Sequence, residues 1–206
     1  MQSPVFVVLL PNFQNNLAPF DGELYLIEQF YRPPESDRWF EGLKTALPWQ
    51  EETLWICGKS CKAPRLMCWY GDPDAHYRYS GVDHRPNPWT EDLLAIKNKI
   101  ESAVSWRFNS VLANLYRDGK DSMGFHADNE KELGQNPVIA SLSLGEERLF
   151  KLRHKKRKEM LAVRLGHGDL LVMAGVLQHH WLHSLPKTAQ TIGPRINLTF
   201  RKIIVA

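Results

Sequence analysis

From Phe108 onward, short apolar runs are separated by turn chemistry, and this pattern restricts the chain to an antiparallel β architecture. The punctuation is Arg117-Asp118-Gly119-Lys120, Leu133-Gly134-Gln135-Asn136-Pro137, Gly166-His167-Gly168-Asp169 and Ile192-Gly193-Pro194. Gly, Asn, Asp and Pro supply backbone conformations that strand interiors avoid. The runs between them predict strands over 109–116, 138–144, 147–154, 160–165, 169–173 and 195–204. Strands so short and so closely spaced point to a sandwich, a jelly roll or a barrel.

Two of these runs separate a core face from a site face. In the last, Arg195, Asn197, Thr199 and Arg201 fall on one side and Ile196, Leu198 and Phe200 on the other, because successive strand side chains point oppositely. The apolar side requires a covering layer. The side with two arginines must look at water or at an anion. In the strand ending at Tyr116, Asn114 and Tyr116 share a face opposite Ala113 and Leu115. A jelly roll turns both polar faces toward one cavity.

Upstream segments supply the covering layer. Trp39, Phe40, Leu43, Ala46 and Leu47 recur at helical spacing between Pro33-Pro34 and Pro48. A second helix is expected from the N-cap Thr90, with Glu91 and Asp92 in its first turn and Leu93, Ile96 and Ile100 along it. Residues 1–32 read as extended and irregular. Residues 53–89, rich in Cys, Pro and aromatics, read as short strands and long loops of the kind that carries recognition. The fold class is therefore α+β, a single domain over 1–206. A jelly-roll core occupies about 108–204, and two helices packed on one sheet precede it within about 1–107.

Composition excludes several classes. With 43% hydrophobic and 24% charged residues, the chain is neither disordered nor a coiled coil. No apolar stretch approaches the ~18 residues of a membrane span. Val5 to Leu10 is short, lacks a basic leader and runs into Pro11, so no signal peptide is expected. Three cysteines, Cys57, Cys61 and Cys68, fit free thiols in a reducing compartment. A zinc site on Cys57 and Cys61 finds no fourth ligand at a usual spacing. Residues 1–60 carry 4 Lys/Arg against 8 Asp/Glu, whereas residues 61–206 carry 22 against 15. That asymmetry suits a polyanionic partner as well as a plain solvated surface.

The chemistry resides in His126-Ala127-Asp128, whose imidazole and carboxylate project from one side of an extended backbone and can share an ion. A third ligand must come from far along the chain, and His183 is a candidate. His179 and His180 lie near enough that spacing does not separate them from it. Two imidazoles and one carboxylate with open positions form the arrangement of non-haem Fe(II) oxygenases. Arg195 follows His183 by twelve residues and precedes Arg201 by six. Its guanidinium can take the far carboxylate of a dicarboxylate in a bidentate fork that Lys does not match. Metal ligands and an anion clamp in this order describe a 2-oxoglutarate-dependent enzyme.

The ordered set of motifs is Asn114-Leu115-Tyr116-Arg117-Asp118-Gly119, His126-Ala127-Asp128-Asn129-Glu130, Ile139 to Gly145, His183, and Pro194 to Ile203. Together these resemble the AlkB-type DNA repair dioxygenases over about residues 55–204, nearest to the branch containing the vertebrate enzyme that prefers duplex DNA. The resemblance implies a double-stranded β-helix holding Fe(II) by His126, Asp128 and His183. It implies 2-oxoglutarate held by Asn114, Tyr116, Arg195, Thr199 and Arg201. It also implies oxidation of N-methyl groups on 1-methyladenine or 3-methylcytosine in DNA, with formaldehyde, succinate and CO2 released. RNA or a protein side chain is the alternative substrate, and an inactive nucleic-acid-binding jelly roll the alternative function. A monomer in the bacterial cytoplasm is expected, or in the nucleus if the chain is eukaryotic.

Substrate contacts follow from the same resemblance. Tyr77, Tyr79 and Ser80 correspond to a nucleotide-recognition lid that packs on the flipped base, with Asn129 and Glu130 just past the metal motif. An acidic residue is usual at the position of Asn129. Ile56-Cys57-Gly58 aligns with a hydrophobic finger that fills the vacated stack, with Cys57 as the wedge, although a thiol fills less space than a phenyl ring. Lys59, Arg65 and Lys187 are candidate phosphate contacts, as are Lys155 and Lys156 within the basic run Lys151 to Lys158.

Overall fold

The computed structural model describes residues 13–56, 59–75, 77–79 and 82–204. In chain order the elements are β1 (Glu23–Ile27), α1 (Glu35–Ala46), β2 (Gln50–Ile56), β3 (Lys59–Gly71), β4 (Tyr77–Tyr79), β5 (Val82–His84) and α2 (Glu91–Val104). They continue with β6 (Ser110–Tyr116), β7 (Met123–His126), β8 (Ile139–Gly145), β9 (Arg148–His154) and β10 (Met160–Leu165). The last are β11 (Leu170–Ala174), the short α3 (Leu177–His180), β12 (Trp181–Leu185) and β13 (Arg195–Arg201). A seven-stranded sheet runs β1-β11-β8-β13-β6-β3-β2, a four-stranded sheet runs β10-β9-β12-β7, and β4 pairs with β5 alone.

Apolar periodicity decides which face of the larger sheet the helices cover. Leu43 of α1 and Leu93, Ile96, Ile100 and Val104 of α2 join Val111, Ala113, Ile196, Leu198 and Phe200 in one buried cluster. Each of the Leu, Ile, Val and Phe side chains contributes roughly 1.5–3 kcal/mol by leaving water. Helix α2 starts where Thr90 accepts a hydrogen bond from the Leu93 N–H at 3.2 Å, which satisfies a donor with no partner inside the helix. The expected helical layer over Ile196, Leu198 and Phe200 is thus present.

A second cluster fills one end of the space between the sheets, where Ile139, Leu171 and Met173 meet Phe150, Leu152, Val163, Leu165 and Trp181. The other end is lined by the polar faces of β6 and β13, and there the candidate site lies. The C-terminal half follows the predicted strands closely, although β13 ends at Arg201 rather than 204.

Four strands differ from expectation. β1, in a segment read as irregular, pairs with β11 from Glu23↔Ala174 to Ile27↔Leu170. β3 runs 13 residues through a stretch read as short strands and loops. Pro64 is tolerated there because the β2–β3 register shifts between Glu51 and Thr53, and β6 pairs with β3 only from Leu66; no ladder bond is required of it. β7 and β12, unread in the sequence, carry the histidines described below. The larger sheet takes β1 to β3 from before residue 108, so the expected division near that residue runs through one sheet. Among the described residues no helix is long and apolar enough to cross a membrane.

Candidate active site

Strand pairing brings the two distant histidines together. β12 lies antiparallel to β7 with His183 directly opposite His126, and their ring centroids are 4.2 Å apart. Asp128, two residues past the end of β7, anchors its backbone by donating its N–H to Gln178 Oε1 at 3.0 Å. Its carboxylate then stands 3.7 Å from His126 Nε2 and 4.0 Å from His183 Nε2. One ligand atom from each of the three residues lies within 4.8 Å of the others.

Protonation suits metal binding. His126 Nδ1 lies 2.9 Å from the Gly124 carbonyl, which can only accept, so the ring proton is on Nδ1 and the Nε2 lone pair is free. Burial, and then the neighbouring His126, push the His183 imidazole down to about 3, so it is neutral near pH 7. Burial raises the Asp128 carboxyl, but the Arg201 guanidinium, together with the His183 and His126 imidazoles, outweighs this and holds it below the usual carboxylate range. Neutral imidazoles and an ionised carboxylate are the metal-binding forms. The donor set therefore fits a divalent ion such as Fe(II).

A second convergent group, Asp21, His154 and His180, shows the opposite tautomer. His154 Nδ1 accepts the Lys156 and Arg157 backbone N–H groups at 3.2 and 2.9 Å. Nε2 must then carry the proton, which it gives to Asp21 Oδ2 at 3.2 Å. With its lone pair thus occupied, this group ties the β9–β10 turn to the segment before β1. Of the two alternatives to His183, His180 belongs to this second group, and His179 contacts the Gln135 carbonyl and Asn136.

Behind the triad, register assembles the anion-binding face. β13 pairs with β6 so that Arg195 opposes Tyr116 and Asn197 opposes Asn114. Arg195 is 2% exposed, and its Nη2 donates to Ser143 Oγ at 2.8 Å. Among the described residues its Nε has no hydrogen-bond partner and no carboxylate pairs with it. Burial pulls the guanidinium down to about 10, so it stays charged at neutral pH. A buried, incompletely partnered cation facing a cavity is costly unless an anion completes it. Thr199 donates to Asn197 Oδ1 at 2.9 Å, and Asn197 donates to Ser141 Oγ at 2.7 Å. Arg201 lines the same cavity but bonds Asp128 Oδ2 at 2.9 Å, beside the candidate metal ligands rather than beside Arg195.

Arg65 corrects one expectation. It does not reach toward phosphate: it is 4% exposed, and its Nε donates to Asn114 Oδ1 at 2.8 Å. Its place in β3, next to β6, turns it inward to orient Asn114. Lys155 Nζ donates to the Gln178 carbonyl at 2.9 Å, while Lys156 and Lys187 are exposed. Asn129 and Glu130 are exposed just beyond Asp128. Tyr77 and Tyr79 are the outer residues of β4, paired with His84 and Val82. Ile56 and Lys59 are the last pair of the β2–β3 ladder. Cys57, Gly58 and Ser80 lie outside the described residues.

Two serines escaped the sequence reading: Ser141 lines the cavity and Ser143 holds Arg195, and both alternate with Leu142 and Leu144 along β8. That alternation is the signal that was available.

Two facing antiparallel sheets, a His-x-Asp and a distal His at their open end, and a buried guanidinium behind them define an oxygenase-type jelly roll with a candidate site for a metal and an anion. The chain belongs to the 2OG-Fe(II) oxygenase superfamily, which it matches over residues 23–201. It is 42% identical over 179 residues to the alpha-ketoglutarate-dependent dioxygenase alkB homolog 3 of Bos taurus, covering 82% of this chain and 62% of the relative. It is 39% identical over 158 residues to the DNA oxidative demethylase ALKBH2 of Homo sapiens, covering 73% of this chain and 60% of the relative. The chain thus spans less than two thirds of these relatives, and its identity to both is of the same order. The solved structure of OsALKBH1 shares the fold, with a TM-score of 0.64 at 17% identity, over 87% of this chain and 96% of that one.

Proposed function

We propose that the chain is an Fe(II)- and 2-oxoglutarate-dependent oxidative demethylase of N-alkylated bases, 1-methyladenine and 3-methylcytosine, in DNA. The observation that carries this reading is the buried Arg195 guanidinium, lacking a partner at Nε, behind a metal-competent His126, Asp128 and His183. In this reading the three residues hold Fe(II), which supplies the activation of O2 that oxidises the methyl group. Arg195 takes the far carboxylate of 2-oxoglutarate in a charged fork. Asn114, Tyr116, Asn197, Thr199 and Arg201 complete its cradle, with Arg65 holding the Asn114 amide in place. Arg201 also helps keep Asp128 ionised, and the His126 Nδ1–H donates to the Gly124 carbonyl, which leaves the Nε2 lone pair for the ion.

The alkylated base carries positive charge and is already unpaired, so extruding it costs less than for an intact pair. Tyr77, Tyr79 and Ser80 of the lid close over it, and Asn129 and Glu130 stand at the entrance, where the Glu130 carboxylate favours a cationic ring. The Ile56-Cys57-Gly58-Lys59 segment meets the vacated stack, and Lys155, Lys156 and Lys187 meet phosphates. The protein acts as a monomer in a reducing compartment that contains DNA.

The test is release of formaldehyde and succinate from oligonucleotides bearing either lesion, compared across single-stranded DNA, duplex DNA and RNA. Stoichiometric formaldehyde from DNA is expected. Equal or better turnover on RNA overturns the DNA assignment, and 2-oxoglutarate left intact with every substrate overturns the enzyme.

A further inference from the structure

The outer face of the four-stranded sheet has a composition that folding does not explain. Strand alternation turns Phe150, Leu152 and His154 of β9 inward and Lys151 and Arg153 outward. Register sets Arg153 between Met160 of β10 and Leu182 of β12, and Lys151 between Ala162 and Ser184. Beside them Phe125 of the edge strand β7 is 38% exposed and Met160 is 55% exposed. The Arg153 guanidinium lies over the Phe125 ring, 4.5 Å from its centroid. Among the described residues neither Lys151 nor Arg153 forms an ion pair, whereas Arg164 on the same face is paired with Glu147 at 2.7 Å.

Position adds a second argument. Phe125 precedes the metal-site residue His126, whose side chain is 29% exposed, against 4% for Asp128 and 6% for His183. The site therefore opens at the β7 edge, one residue from the Phe125–Arg153 plate. At Gly124 an added Cβ would meet nothing within 4 Å, so the approach along this edge is clear.

We propose that Phe125, Arg153 and Lys151 form a docking track for the single-stranded nucleic acid flanking the base in the pocket. This rests on the nucleic-acid substrate proposed above. An unpaired base stacks on the Phe125–Arg153 plate, since every base offers a π face to aromatic or guanidinium planes. Arg153 and Lys151, two residues and about 7 Å apart along one strand, present unpaired cations to successive phosphates. Duplex DNA keeps its bases stacked internally and offers this surface only phosphate, so the track selects single strands.

Binding of an unmodified oligothymidylate of about a dozen residues, followed by fluorescence anisotropy, tests the track without turnover. Phe125→Ala is expected to weaken it about five- to tenfold and Phe125→Trp to restore it. Arg153→Gln should flatten the log–log salt dependence by about 0.7. Affinity for a blunt duplex of equal length should not change in Phe125→Ala. Unaltered oligothymidylate binding in both Phe125→Ala and Arg153→Gln, or equal losses on duplex and single strand, overturns the track. Demethylation of a methylated trinucleotide separates this from the proposed function. If wild type and Phe125→Ala both act on the trinucleotide and on the longer strand alike, the track alone fails; if wild type acts on neither, the demethylase reading fails and the binding arm still decides the track.

Discussion

Replacing Arg195 by methionine should move two measurements in opposite directions. In the free protein the guanidinium is 2% exposed and holds one side-chain hydrogen bond, to Ser143. An apolar side chain of similar length removes a buried, incompletely partnered charge, a change that is neutral or stabilising by ~1–4 kcal/mol in comparable cases. For 2-oxoglutarate the same substitution deletes one partner of a buried charged pair, which costs ~2–5 kcal/mol. That converts to a ~30- to 5000-fold rise in Kd. Arg195→Lys should recover part of the charge but not the fork. Calorimetric titration of 2-oxoglutarate with Mn(II) in place of iron gives the affinity, and thermal melting with and without the co-substrate gives the stability. An unchanged Kd, or a free Arg195→Met protein melting far below wild type, would refute the assignment of this guanidinium as an anion anchor.

Arg65→Met should raise the 2-oxoglutarate Kd more modestly, by ~5- to 10-fold, because it frees the Asn114 amide without touching the anion; a large loss of affinity for unmodified DNA instead would return Arg65 to a phosphate role. Gly168→Ala should destabilise by ~3 kcal/mol or more, as the residue has φ of +88° and a Cβ would sit 2.0 Å from the Tyr31 carbonyl oxygen; an unchanged denaturation midpoint contradicts this. Burial raises the Glu101 carboxyl, but hydrogen bonds from the Phe108 N–H, Arg107 and Lys97 outweigh it and hold it below the usual range. A depressed folded-state pKa contributes stability above the unfolded value that is lost as pH falls, so from about pH 5 downward wild type should lose more stability than Glu101→Gln. Parallel melting curves of the two proteins across that window would contradict it.

The parts of the fold legible in the sequence are those where one physical pattern acts alone. Along 195–201 alternation separates Ile196, Leu198 and Phe200 from Arg195, Asn197 and Thr199, and the folded chain keeps that separation. Thr90 caps the second helix as its chemistry requires. The pattern blurs where two demands overlap. β12 reads Trp-Leu-His-Ser-Leu, and its inward positions serve the apolar cluster through Trp181 and Leu185 and the candidate metal site through His183. In β3, Pro64 reads as a strand breaker but falls at a register shift. Arg65 resembles a surface cation because only its partner strand, β6, turns it toward Asn114. Which of three nearby histidines faces the carboxylate depends on tautomer and register, and neither is written in spacing.

The edge position of β7 also bears on how the molecule holds together. Among the described residues that strand is hydrogen-bonded to β12 alone, with no neighbour on its other side. It nonetheless contributes His126, and Asp128 immediately follows it. An ion shared with His183 would act as a rivet at the rim of the sheet, fastening a border that the backbone ladder grips from one flank only. Amide exchange at residues 123–126 should therefore slow when the ion binds, well beyond any change in the central strands β8 and β13.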